Sequence, residues 1–157
     1  MSHNLTLPSH PPLPLRQRPA TLLAIAMGRL LAALPPQRIV RILHLLRRGT
    51  APATTAQTLA ARTATVTLSQ RCASDRGCLQ RSLATTVLCR MRGVWPTWCT
   101  GIRTRPFSAH AWVAVEDTPV GEPHSGDYYT PILLVPPGPP ARPRGVCPRA
   151  PVKRRDG

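Results

Sequence analysis

Residues 77–93, Gly77-Cys-Leu-Gln-Arg-Ser-Leu-Ala-Thr-Thr-Val-Leu-Cys-Arg-Met-Arg-Gly93, hold one helix's worth of apolar spacing between two glycines. Leu79, Leu83, Val87 and Met91 recur every four residues with Ala84 and Leu88 beside them, which marks a core-facing stripe. The spacing predicts a helix over 78–92, closed by Gly93. Ser74 and Asp75 are its N-cap candidates. A helix that starts at Cys78 sets a thiol where unpaired N–H groups and the macrodipole favour an anion.

The pattern changes after Gly93. Residues 94–103 read as a turn and then a strand. Residues 109–115 read as a second strand, with His110, Trp112 and Ala114 on one side and Ala111, Val113 and Val115 on the other. Residues 116–119 form a turn. Val120 to Glu122 begin a third strand, and residues 130–135 supply a fourth. One buried helix followed by an antiparallel meander makes an α+β fold.

Upstream, residues 20–34 (ATLLAIAMGRLLAAL) follow Arg16 and Arg18 like the apolar core of a secretory signal. Arg29 interrupts the run, no small-residue cleavage site follows, and the stretch is too short for a membrane span. It reads as a helix stopped by Pro35-Pro36. Residues 37–48 place Ile39, Ile42, Leu43 and Leu46 on one face, so the two segments form a helical hairpin with a Pro-Pro corner. The Ala- and Thr-rich stretch 50–65 carries a short helix over 56–62. Pro-rich arms at 1–19 and 138–157 cannot bury enough apolar surface to offset their ordering entropy and read as disordered. The expected divisions are thus a disordered arm (1–19), a helical region (20–65), a catalytic core (66–137) and a disordered basic tail (138–157).

Lys and Arg number 21 against six Asp and Glu, a formal net charge of +15. Such charge favours anionic partners, whether nucleic acid, acidic peptide or membrane surface. The arginines are spread along the chain, and only six residues are aromatic, which disfavours stacking on single-stranded nucleic acid. The five cysteines, Cys72, Cys78, Cys89, Cys99 and Cys147, are odd in number and contain no Cys-x-x-Cys pair. A zinc site and a secreted disulfide scaffold are both poorly supported, and reduced thiols in a cytoplasmic protein fit best. No cofactor and no metal are implied.

His110 lies 32 residues beyond Cys78, and Glu122 twelve beyond His110. A thiol at a helix start, an imidazole on a strand and an acid nearby are the parts of a cysteine-hydrolase triad. The imidazole takes the thiol proton or pairs with the thiolate, while an acceptor on its second nitrogen fixes its orientation. Glu122 is the best-placed acceptor, with Asp117 and Glu116 as rivals in the turn. Gly77 would let substrate approach the sulfur, and the Cys78 N–H is a natural oxyanion donor. Gln80, Trp95 and Trp98 are candidates for the second donor. Cys89 reads as a core residue.

The blocks Gly77-Cys-Leu-Gln-Arg-Ser-Leu-Ala84, Leu88-Cys-Arg-Met-Arg-Gly93, Trp95-Pro-Thr-Trp98, Ala109-His-Ala-Trp-Val113 and Val120-Gly-Glu-Pro123 together resemble one family. It is the transglutaminase-like leader peptidase of lasso-peptide biosynthesis, the protease half of the split maturation protein. The resemblance covers residues 20–137 and is most specific over 78–122. It implies a papain- or transglutaminase-like fold and ATP-independent removal of the leader from a ribosomal precursor peptide. It also implies two partners, a small leader-recognition protein and an asparagine-synthetase-like lasso cyclase. By matching positions, Cys78 is the nucleophile, His110 the general base and acid, and Glu122 the orienting acid. Many members carry Asp at that last position, so the longer Glu122 is a departure. Two readings of other classes stand beside it: a basic nucleic-acid-binding protein and an inactive peptide-binding scaffold.

Overall fold

A computed structural model describes residues 13–123 and 128–139. Among the described residues, five helices and six strands follow in the order α1 (Arg18–Ala32), α2 (Pro36–Leu46), β1 (Ala51–Pro52), α3 (Thr55–Leu68), α4 (Gln70–Ala73), α5 (Cys78–Met91), β2 (Val94–Trp95), β3 (Thr97–Thr104), β4 (Phe107–Val115), β5 (Thr118–Pro119) and β6 (Thr130–Val135). The main sheet is antiparallel with the order β5-β4-β3-β6. The expected α+β architecture, a Cys-bearing helix on an antiparallel sheet, is the one observed.

Helix α5 is the axis of the domain. It is buried continuously from Arg81 to Cys89, because α1 and α3 pack on it from one side and the sheet from the other. The stripe read from the sequence is therefore only part of its buried surface. Met91, assigned to that stripe, is 45% exposed, since the helix runs out from under its neighbours at its C-terminal end. Polar residues fill the remaining buried positions by bonding to the helix itself. Thr85 donates to the Arg81 carbonyl at 2.8 Å and Thr86 to the Ser82 carbonyl at 2.9 Å. Each hydroxyl enters the core already satisfied.

The Pro35-Pro36 corner is present, with Pro36 opening α2, where a missing N–H costs nothing. The two helices it joins make their main contacts elsewhere: α1 lies along α5 and α3, while α2 reaches β6. Gly28 permits the first of these contacts, since a Cβ there would sit 2.8 Å from the Ala84 backbone nitrogen. No helix among the described residues is long and apolar enough to cross a membrane.

Helix α3 is longer than the expected 56–62 and runs across the 65/66 division. A capping box starts it: the Gln57 N–H donates to the Thr54 hydroxyl, and the Thr54 N–H donates back to Gln57 Oε1 at 2.9 Å. Its small buried residues Thr58, Ala61, Ala64 and Thr65 allow close approach to α5. Of the N-terminal arm, residues 1–12 lie outside the described residues. Residues 15–17 form a 3-10 turn and residues 18–19 already belong to α1, so that part is not disordered. The tail from residue 140 and Cys147 also lie outside.

Strand β4 pairs with β3 over eight positions, from Thr97 opposite Ala114 to Thr104 opposite Phe107. Its alternation follows the expected faces: Val113 belongs to the main core against α5, while Trp112 and Ala114 cluster with Cys99 on the other side. Glu116 and Asp117 make the turn into β5, both with positive φ (48° and 63°). The third strand differs from expectation. β5 is only Thr118–Pro119, and Glu122 follows it outside any strand, because Gly121 (φ 69°) turns the chain away from β4.

Candidate active site

Cys78 is the first residue of α5, as expected. Its N-cap is Gly77, with no side-chain capping bond, so the amides of the first turn are not occupied by a side-chain cap. Ser74 and Asp75, expected as caps, do not serve. The Ser74 hydroxyl donates to the Arg71 carbonyl at 2.8 Å, and residues 75–77 form a separate 3-10 turn. Gly77 also has a different task from the one expected. A Cβ there would lie 1.8 Å from the Arg71 carbonyl oxygen, so its absence seats the loop rather than opening a path to the sulfur.

His110 projects from β4 to meet Cys78 and Glu122. Its Nε2 lies 2.8 Å from Glu122 Oε2, which leaves Nδ1 as the nitrogen facing the thiol. The side-chain hydrogen bond with His110 is the main cause that lowers the Cys78 pKa, and it outweighs burial; the Ala111 backbone and the charges of His110 and Arg81 add to it. The same bond with Cys78, then the bond with Glu122, raises His110 to about 9 against the effect of burial. Burial alone would push the Glu122 carboxyl up, but the His110 hydrogen bond and the Arg62, His110 and Arg81 charges hold it below its ordinary value. These shifts favour one state of the pair, thiolate beside imidazolium.

Four further side chains, Arg62, Arg81, Tyr129 and Trp112, hold the site and have no role assigned from the sequence. Arg62, in the weakly patterned Ala- and Thr-rich stretch, places Nη2 3.3 Å from Glu122 Oε1. Gly121 makes that possible, since a Cβ there would press on Arg62 Cδ at 2.9 Å. Arg81, 9% exposed, donates from Nη1 to the Cys72 carbonyl at 2.9 Å and the Ser74 carbonyl at 3.2 Å, tying the loop before α5 to its first turns. Tyr129 stacks on the imidazole at 5.0 Å between ring centroids, while Trp112 stacks at 5.9 Å. A ring pair of this kind holds an imidazole in plane. Only Trp112 carried a signal, its place two residues beyond His110 on one strand face.

Two oxyanion candidates drop out. The Trp98 indole N–H donates to Ser82 Oγ at 3.1 Å and the Trp95 N–H to the Val135 carbonyl at 3.1 Å, so both are committed inside the core. Gln80 remains, with its side-chain oxygen buried and without a hydrogen-bond partner. Cys89 and Cys99 are buried, and their thiols are pushed up to about 12, chiefly by burial. Asp117 lines a groove on the outer sheet face rather than meeting His110.

A thiol opening a buried central helix, with an imidazole on the packed sheet and a carboxylate behind it, is a framework for cysteine-dependent acyl chemistry. The family model of the transglutaminase-like superfamily matches residues 21–134 of the chain, which belongs to that superfamily. Its members are typically cysteine-dependent enzymes. No curated protein and no solved structure matches the chain.

Proposed function

We propose that this protein is a cysteine peptidase that removes the leader from a ribosomally made lasso precursor peptide. The observation that carries the reading is the chain of contacts from Cys78 through His110 to Glu122, with the thiol lowered and the imidazole raised to about 9. The motif resemblance over 78–122 narrows the substrate. The Cys78 thiolate attacks the scissile carbonyl, and the Cys78 N–H receives the developing oxyanion. His110 gives its proton to the departing amine, leaving the leader as a thioester on Cys78. It then takes a proton from water, whose oxygen attacks the thioester and frees the leader acid. Glu122 holds the imidazole through Nε2 during both halves. The freed core amine passes to a separate lasso cyclase, and a small leader-recognition protein presents the precursor. The setting proposed is cytoplasmic.

The experiment is incubation of the full chain with precursor peptide and the recognition protein, followed by mass spectrometry. Two products are expected whose masses sum to the precursor plus one water, and both vanish in Cys78→Ala and His110→Ala. Binding of DNA or of intact precursor without any cleavage would favour the nucleic-acid or scaffold reading instead.

A further inference from the structure

Helix α5 covers one face of the main sheet. The other face carries a groove of about 570 Å3, within the size range of ligand sites. Its shape follows from the register. Cys99 pairs with both Trp112 and Leu134, and Thr97 pairs with Ala114, so small side chains alternate with large ones across the three strands. The rings of Trp112 and Tyr129, 6.0 Å apart, stand at the end nearer the imidazole, and both stack on His110. The groove therefore starts beside the site already described.

Its charge is opposite to that of the chain. Among the described residues that line it there is no Lys or Arg, although the chain has 21, and its one charged group is Asp117. The carboxylate acts into the groove: after burial, its charge is the second cause that raises the Cys99 thiol. Asp117 also holds an unfavourable backbone position. It and Glu116 take the two positive-φ places of a tight hairpin turn, where Asn-Gly is the relaxed choice. Strain of this sort costs roughly 1–3 kcal/mol per residue and is concentrated at functional sites.

We propose that this groove is a subsite for a lysine or arginine side chain of the substrate peptide, with Asp117 pairing the cation and the adjoining rings of Trp112 and Tyr129 forming a wall along its stem. The inference rests on the peptidase reading and adds a specificity to it. Aromatic faces and a carboxylate together suit a cation with an apolar stem. Five residue steps of about 3.3 Å from His110 to Val115 put the turn roughly 17 Å along β4 from the imidazole.

The test uses the full chain carrying Cys78→Ala, which keeps the groove and cannot turn over. Fluorescent undecapeptides with one arginine scanned through an Ala/Gly background are compared, by anisotropy, with the same peptides carrying neutral citrulline. At least tenfold tighter binding of an arginine peptide is expected, falling to within twofold in Asp117→Asn, a change that keeps the side chain's size and removes its charge. Asp117→Gly, which relaxes the turn, is expected to lose the preference equally. Equal binding of both peptide sets, no binding of either, or a preference that survives Asp117→Asn overturns the subsite. A second arm uses the full chain with Cys78 intact: protection of its thiol by arginine-containing peptide aldehydes against iodoacetamide separates the two claims. Protection without arginine preference removes the subsite and leaves the peptidase. Arginine-dependent binding through Asp117 without protection supports the cation site and counts against the peptidase.

Discussion

Glu122→Gln preserves the size of the side chain and removes one acceptor. The two carboxylate oxygens of Glu122 face different donors, Oε2 toward His110 Nε2 at 2.8 Å and Oε1 toward Arg62 Nη2 at 3.3 Å. The side chain is 8% exposed, so water cannot easily replace either contact. A glutamine amide offers one oxygen and one NH2, and whichever donor takes the oxygen leaves the other facing an N–H. Arg62 has little room to compensate, since its Nε is already buried without a partner. Losing one charge-assisted bond and stranding a buried donor costs about 1–3 kcal/mol. Removing the cation as well relieves the conflict, because the Gln oxygen is then free for His110. The double variant Arg62→Met/Glu122→Gln is therefore expected to lose at least about 1 kcal/mol less than the sum of the two singles. Urea unfolding at pH 7, with the denaturant slopes compared, measures all four corners of the cycle. Glu122→Gln within about 0.5 kcal/mol of the parent, or singles that add to within that margin, would mean that Glu122 does not bridge His110 and Arg62 in solution.

Three further outcomes follow from the same geometry. Iodoacetamide applied to the native protein at pH 8 should modify Cys78 before Cys89 and Cys99, whose thiols near 12 leave only about one in 10^4 ionised; comparable labelling of the three by peptide mapping contradicts this. His110 holds its proton up to about 9 against an ordinary 6.5, so the stability it contributes is complete below about 6.5 and fades as the pH rises through about 9. In Cys78→Ala the largest cause of that shift is gone, and the imidazole midpoint seen by NMR should move down toward 6.5; an unchanged midpoint denies the coupling. Gly28→Ala forces α1 and α5 apart and should cost about 1–3 kcal/mol by thermal unfolding while leaving the Cys78 alkylation rate unaltered.

The sequence exposed what depends on local spacing. Cys78 at a helix start and His110 on an alternating strand were legible because a four-residue stripe and a two-residue alternation each fix where a side chain sits. Helix α3 was legible only in part, because its buried threonines look polar. Their hydroxyls bond within the helix, as Thr58 does to the Thr54 carbonyl at 2.9 Å, and so pass as core residues. Arg62 was hidden for a related reason: its meaning lies in a partner sixty residues away, and nothing near it in the chain points there. Glu122 was found as a residue but set on the wrong element, since Gly121's positive φ, not a strand, directs it toward His110. The Ser74 and Asp75 caps failed because a 3-10 turn intervenes before α5, a detail that residue preference alone does not encode.

In the proposed reaction Cys78 carries the leader as a thioester. Rapid acid quench of the full chain during turnover of precursor with its recognition protein, read by intact mass, tests it directly. An adduct equal to the leader acyl group is expected, mapped to Cys78, discharged by hydroxylamine and absent in Cys78→Ser. Cleavage that proceeds in Cys78→Ser, or turnover with no adduct at any quench time and no loss on alkylating Cys78, would contradict it.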